Sequence, residues 1–161
     1  MVRKIDNMGR IVIPKEIRYS MNLKDGDDLL IFTQNDEITL KKYSIMDNNL
    51  KKSIILTDAF NELVDGNIIV ADREKIITPG VLFNHTLPSK IQNLAITREY
   101  YFSPQIEELR FGNTYVKAIF SIFPIITNSN VIGYVILISN NIISDEERKY
   151  LKVIENIIEN T

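Results

Sequence analysis

Short β-branched runs separated by tight polar clusters fill the first 43 positions, whereas long apolar runs dominate positions 115–139. Val2–Ile5 and Arg10–Ile13 read as strands on either side of the turn cluster Asp6-Asn7-Met8-Gly9, with Gly9 where a positive φ is needed. Pro14 cannot donate to a strand ladder, so the second run stops there. Its missing N–H suits the first turn of a helix. That helix is expected over 14–21, with Ile17 and Met21 at i, i+4 on one face and Asn22 as the stop. Lys24-Asp25-Gly26-Asp27 is a turn, 28–33 a strand, Gln34-Asn35-Asp36 a second turn, and 37–43 an alternating strand with Ile38 and Leu40 on one face.

After a polar linker at 44–49, apolar residues at helical spacing from Met46 to Val64 predict a helix over 46–64, capped by Gly66. Asn67–Ala71 reads as a buried strand, 72–75 as a polar turn and 76–78 as a return strand broken by Pro79-Gly80. Pro88 opens a short helix to Ile96 with Ile91, Leu94 and Ala95 inward. Positions 97–112 show no clear period; Tyr100, Tyr101, Phe102 and Phe111 fit a strand or a packing loop. A long strand over 115–126, a turn at Asn128-Ser129-Asn130 and a partner over 131–139 form a hairpin in which Gly133 marks a bulge or a close approach. Ser144-x-x-Glu147 is a capping box for a helix to about Asn160, with Leu151, Ile154 and Ile158 on one face and Ile157 beside them toward a subunit contact. The class is α+β, its second part a small antiparallel sheet with terminal helices on one face.

Composition changes this picture mainly by exclusion. With 45% hydrophobic and 25% charged residues the chain has the apolar mass for a core, which excludes wholesale disorder. The absence of Cys removes disulfides and thiolate metal sites, and a single His, His85, leaves no transition-metal set. No Gly-rich phosphate loop occurs, and no Ser or Thr has a convincing base beside it. Adjacent carboxylates such as Glu107-Glu108 and Glu146-Glu147 read as solvated. The expectation is a protein that is not an enzyme and has no cofactor. No apolar run approaches the ~18 residues of a membrane span, and the N-terminus lacks a signal-peptide core. A cytoplasmic protein is therefore expected.

The net charge of −2 hides an asymmetry. Residues 1–20 carry Arg3, Lys4, Arg10, Lys15 and Arg18 against Asp6 and Glu16, a net +3, while residues 21–44 are net −2. Such a basic tip is either a solvated surface or a nucleic-acid contact, where Arg and Lys neutralise phosphates. Size bears on the choice. A segment of roughly 40 residues without disulfide or metal rarely buries enough surface to fold alone, so it should recruit a second copy.

The stretch Gly9-Arg10-Ile11-Val12-Ile13-Pro14-Lys15-Glu16-Ile17-Arg18, with Leu23-Lys24-Asp25-Gly26-Asp27 and Ile38–Tyr43 following in place, resembles the AbrB-type swapped-hairpin DNA-binding domain over residues 2–43. The resemblance implies a β-barrel formed by two chains that exchange hairpins. It also implies DNA contacts from Arg3, Arg10 and Arg18, with Lys4 at the neighbouring basic position. The family commonly has another Arg after Arg18; Tyr19 stands there and brings no charge, so either affinity is lower or the role passes to Lys15. Read without that resemblance, Arg10 caps the turn and Arg18 pairs with an acid. The second part is similar to GAF-like sensor domains, and regulators built from these two parts imply control of genes late in spore formation, by activation and repression.

These readings divide the chain into a DNA-binding domain, 1–45, and a GAF-like sensor or oligomerisation domain, 46–161. The expected partners are double-stranded DNA, further copies of the chain as a swapped dimer or a tetramer, and a small-molecule effector. The expected place is the nucleoid, with no membrane. DNA recognition is expected to be tolerant of sequence, through deformability. Two other readings stand beside this one: a DNA-binding antitoxin of a toxin–antitoxin pair, and a ligand-binding or scaffold module without DNA binding.

Overall fold

The computed structural model describes residues 1–43, 46 and 49–160. The chain divides into two compact units, Met1–Tyr43 and Ser44–Thr161.

Unit 1 contains helix α1 (Lys15–Ser20) and the hairpin β1 (Leu29–Gln34) and β2 (Glu37–Lys42). The hairpin runs in register from Leu29 opposite Lys42 to Gln34 opposite Glu37. Asn35 (φ 48°) and Asp36 (φ 63°) form its two-residue turn, the conformation whose twist matches that of the strands. Pro14 is the N-cap of α1, one position before the first helical residue. The helix stops as expected: Asn22 takes φ 50°, and the Leu23 N–H donates to the Arg18 carbonyl at 2.8 Å.

The expected strands at 2–5 and 10–13 do not form. The two arms meet at the turn, where Asp6 N–H donates to the Arg10 carbonyl at 3.1 Å and Gly9 N–H to the Asp6 carbonyl at 3.0 Å, with Gly9 at φ 77°. Beyond that the arms have no strand partner among the described residues, and β-structure exists only where a neighbour completes the ladder. The unit also has no core of its own, for no hydrophobic side chain of residues 1–43 other than Pro14 is buried. Residues directly opposite each other on paired strands share a face. Leu29, Ile31, Ile38 and Leu40 therefore form one apolar face of the hairpin, on which Ile31 is 64% and Ile38 66% exposed.

Unit 2 is an antiparallel sheet with helices. The expected linker at 44–49 and the first turn of the expected 46–64 helix fall largely outside the described residues. The helix α2 spans Leu50–Asn61, and β3 spans Asn67–Asp72. Two single turns, α3 (Ser89–Gln92) and α4 (Leu94–Thr97), replace the one short helix expected after Pro88. The order ends with β4 (Tyr101–Phe102), β5 (Glu107–Phe111), β6 (Thr114–Thr127), β7 (Asn130–Ser139) and α5 (Asp145–Glu159). The sheet order is β3-β7-β6-β4, with β5 also pairing β6. The return run 76–78 is not a strand: it makes an isolated bridge from Ile76 to Ala71, and the Thr78 hydroxyl accepts from the Val70 N–H at 3.0 Å.

Both sheet faces are covered, so β6 and β7 read as continuous apolar runs rather than alternating ones. Ile68, Val70, Phe123, Ile125, Val135 and Leu137 pack against α2 and α5, which contributes Leu151, Ile154 and Ile158. On the opposite face Ile69, Phe120, Ile122, Tyr134 and Ile136 lie under the irregular segment that carries Ile76, Leu87 and Ile91. Gly133 is both a bulge and a close approach. The ladder jumps from Ile125 opposite Gly133 to Ile126 opposite Val131, and an added Cβ would lie 2.3 Å from the Ala71 carbonyl oxygen. Gly66 does not cap α2, whose C-cap is Glu62; a Cβ added at Gly66 would lie 2.4 Å from the Ile138 carbonyl oxygen. The capping box of α5 forms as read, with Glu147 N–H on the Ser144 hydroxyl and the Glu147 carboxylate on the Ser144 N–H. Burial pushes the Glu147 carboxyl up, but the Ser144 and Asp65 N–H groups and the Ser144 hydroxyl outweigh it and hold it below the usual range.

Candidate nucleic-acid interface

Unit 1 brings its basic residues to the surface through three local devices. The first is the turn at 6–9. The Asp6 carboxylate folds over it, with Oδ1 accepting from Met8 N–H at 2.9 Å and from Arg10 N–H at 2.8 Å, an Asx-type closure. Its Oδ2 accepts from Arg10 Nε at 2.8 Å. The Arg10 N–H first, and the Arg10 guanidinium next, hold the Asp6 carboxyl below its ordinary value. Arg10 is thus steered by Asp6 through one of its five donors.

The second device is α1. Pro14 anchors the start of the helix and is the one buried residue near it. Lys15 and Arg18 leave from its exposed surface. Lys15 Nζ lies 5.4 Å from the centroid of the Tyr19 ring, a cation–π contact. Arg18 Nη1 lies 3.7 Å from Asp25 Oδ1, beyond hydrogen-bonding distance. The third is the first arm, on which Arg3 and Lys4 are exposed to solvent.

All five basic residues singled out from the sequence are therefore exposed, and two of them also do what the plainer reading of the residues foresaw. Arg10 closes its own turn, and Arg18 sits near an acid. Exposed pairs of this kind are screened by water and salt and contribute little to stability. A phosphate oxygen can replace the carboxylate at little cost, because it offers the guanidinium the same charge-assisted geometry. Asp6 joins the candidate site only in the structure; the pattern that marks it is an Asp opening a four-residue turn that ends in Gly. Among the described residues no group of His, Asp or Glu is arranged to hold a metal ion, and no helix is long and apolar enough to cross a membrane.

Comparison with known proteins locates the likeness in the same place. Residues 2–46 match the family described as "Antidote-toxin recognition MazE, bacterial antitoxin". The chain is 38% identical over 61 residues to "Transition state regulatory protein AbrB" of Bacillus subtilis (strain 168), which takes in 32% of this chain and 64% of that protein. Over 149 residues it is 27% identical to "Stage V sporulation protein T" of the same organism, covering 88% of this chain and 84% of that protein. A MazE/AbrB-type domain stands at the N-terminus, as the residues at 2–43 led one to expect, and the likeness to the sporulation protein runs on through unit 2.

Proposed function

We propose that the chain is a DNA-binding transcription regulator of sporulation genes, acting as a homo-oligomer and not as an enzyme. The observation that carries this reading is the combination found in unit 1: the five exposed cations of residues 1–20, on a segment that buries no apolar core of its own. A second copy supplies what is missing. Two copies interleave their arms and hairpins into one swapped barrel, the apolar face of Leu29, Ile31, Ile38 and Leu40 goes inward, and the arms at 2–5 and 10–13 gain the strand partners they lack. The cations then form a continuous basic surface. Arg3, Lys4, Arg10, Lys15 and Arg18 contact phosphates, and some reach base edges. The 27% identity to a sporulation protein over most of the chain and the 38% identity to a transition state regulator support the biological setting.

In this reading residues 1–45 bind DNA, and residues 46–161 form a GAF-like domain that senses a small molecule and holds the oligomer together. Activation and repression both follow from where such an oligomer sits on a promoter. The protein acts in the cytoplasm, on the nucleoid.

Gel-shift titration tests the DNA reading. Arg10→Ala and Arg18→Ala should weaken binding while leaving the oligomer intact. Unchanged affinity in both variants rules out these contacts. The description of the matched family favours a second reading, an antitoxin. Antitoxins commonly wrap their toxin with an extended tail, whereas unit 2 has a covered sheet and a capped terminal helix. Stoichiometric co-purification of a toxin would decide for that reading.

A further inference from the structure

Two arginines of unit 2 that the regulator reading does not use come together at one end of the sheet, by the β6–β7 turn. Arg73 lies in the turn that follows β3, and Arg98 closes α4. With Ala95, Val131 and the β6–β7 turn residues Ser129 and Asn130, they line an open cleft of about 70 Å3. No carboxylate is among its lining residues. Neither guanidinium makes a hydrogen bond or ion pair among the described residues.

Each wall of the cleft is fixed by bonds that leave the cations uncommitted. Acids flank both arginines in sequence: Asp72 is spent on its own turn, its Oδ1 accepting from Glu74 N–H at 2.7 Å and Lys75 N–H at 2.8 Å, and neither Glu74 nor Glu99 lines the cleft. Arg98 holds a left-handed backbone (φ 59°, ψ 24°), and its N–H donates to the Leu94 carbonyl at 2.8 Å. Gly or Asn is the easier residue at such a helix end. The hairpin turn is set by Asn128 (φ 49°) and Ser129 (φ 64°), with Asn130 Nδ2 donating to the Asn128 carbonyl at 3.3 Å. Below, Tyr134 donates to the Gln92 carbonyl at 3.4 Å, so its hydroxyl gives the cleft no negative charge.

We propose that this cleft binds the phosphate group of a small molecule between the Arg73 and Arg98 guanidiniums, with the Ser129 hydroxyl as a third donor. Two forks arriving from separate elements suit a tetrahedral group with acceptor oxygens on every side, whereas a planar carboxylate is satisfied by one fork. The cleft is open and of a size for one such group, so the rest of the molecule stays in solvent. The proposal gives a ligand class to the sensory role of unit 2 and rests on that role for its purpose, while the binding chemistry stands without it.

The test uses the full chain and two probes, inorganic phosphate and glycerol 3-phosphate, by calorimetric titration at constant ionic strength with sodium acetate as control. Saturable binding is expected with Kd below about 10 mM. The paired variant Arg73→Ala/Arg98→Ala, with an unchanged circular dichroism spectrum, should weaken it at least about tenfold, the loss of one charge-assisted bond or more. Arg73→Lys/Arg98→Lys keeps the charge, loses the forks and should fall between. Arg10→Ala/Arg18→Ala should keep the saturable component that the Arg73/Arg98 variant loses, since those cations belong to the DNA surface. Equal affinity in wild type and the Arg73/Arg98 variant overturns the proposal, as does loss of binding in the Arg10/Arg18 variant or equal binding of acetate. Tighter binding of glycerol 3-phosphate than of phosphate identifies an organic phosphate as the source; the reverse identifies the free ion. Binding at Arg73 and Arg98 that leaves DNA affinity unchanged keeps the site and refutes the sensory role.

Discussion

The two units solve the burial problem in opposite ways. In unit 2 both faces of the sheet are covered from within the chain, one by two helices and the other by an irregular segment, and side chains such as Tyr134, Phe120 and Leu137 are wholly buried. In unit 1 Ile5, Val12, Ile31 and Ile38 are each more than half exposed. Ile31 and Ile38 share one face of the hairpin, and an exposed apolar face marks an interaction site rather than an ordinary protein exterior. One sequence thus holds a unit whose core is covered from within the chain and a unit that buries almost no apolar side chain. The cations of the candidate interface sit on the second kind of structure, so the proposed function ties DNA binding to assembly.

Cutting the chain at the boundary gives the largest contrast. Residues 44–161 alone should melt cooperatively. Residues 1–43 alone should be folded only as a dimer, with a Tm that rises with concentration. A folded monomer of 1–43 in sedimentation experiments removes the shared-core reading. Point substitutions sharpen the same contrast. Phe120→Ala in unit 2 should cost about 3–5 kcal/mol in denaturant unfolding, because the cavity lies under a closed face. Ile31→Ala should change the unfolding of unit 2 in the full chain by no more than about 0.5 kcal/mol, yet weaken the dimerisation of residues 1–43 measurably. Equal unfolding costs at the two sites would erase the difference between the units. At the interface itself, Arg10→Ala and Arg18→Ala should each lower the slope of log affinity against log salt by about one for every phosphate left without its cation. Gel shifts at several salt concentrations read that slope.

Legibility in the sequence follows the same division. The apolar hairpin at 114–139, the bulge at Gly133 and the capped α5 are readable because local period and local chemistry point the same way. Positions 97–112 are not, because β4 and β5 are fixed by a polar knot. Glu107 accepts from the Tyr101 hydroxyl at 2.7 Å, from Ser103 Oγ at 2.6 Å and from Lys90 Nζ at 2.5 Å, while Ser103 Oγ accepts from Phe120 N–H at 3.0 Å. Those partners are scattered from 90 to 120, and no period announces them. The strands expected at 2–5 and 10–13 fail for a different reason: β-branched composition states a preference, and a strand needs a neighbour. The basic residues of the candidate interface are legible one by one through their motif. The Arg73–Arg98 cleft is not legible, since its lining comes from three separate turns.

The smallest effect concerns a charge inside unit 2. Glu155 on α5 has its side chain 3% exposed and pairs with Lys152 Nζ at 3.0 Å. Burial pushes its carboxyl above the ordinary value of 4.5 and outweighs the Lys152 ammonium and the Tyr100 hydroxyl, which favour the charged form, while Glu159 adds to the rise. A carboxyl raised on folding contributes stability that is complete below its unfolded value and is lost as pH climbs through the folded one. Glu107 and Glu147 run the other way: their lowered carboxyls stabilise the fold above the usual carboxylate range and lose that contribution on acidification. Glu155→Gln keeps the shape and the acceptor oxygen while removing the buried charge. It should raise the Tm of unit 2 at pH 7 by about 2–4 °C or less. The gain should shrink as pH falls toward the ordinary carboxylate range, where Glu155 is protonated and variant and wild type carry the same charge at that position. A Tm that falls at pH 7 and recovers in acid would show instead that the ion pair with Lys152 outweighs the burial of the carboxylate. Unit 2 would then depend on a charge at a place where its core resembles the exposed, ion-paired surface of unit 1.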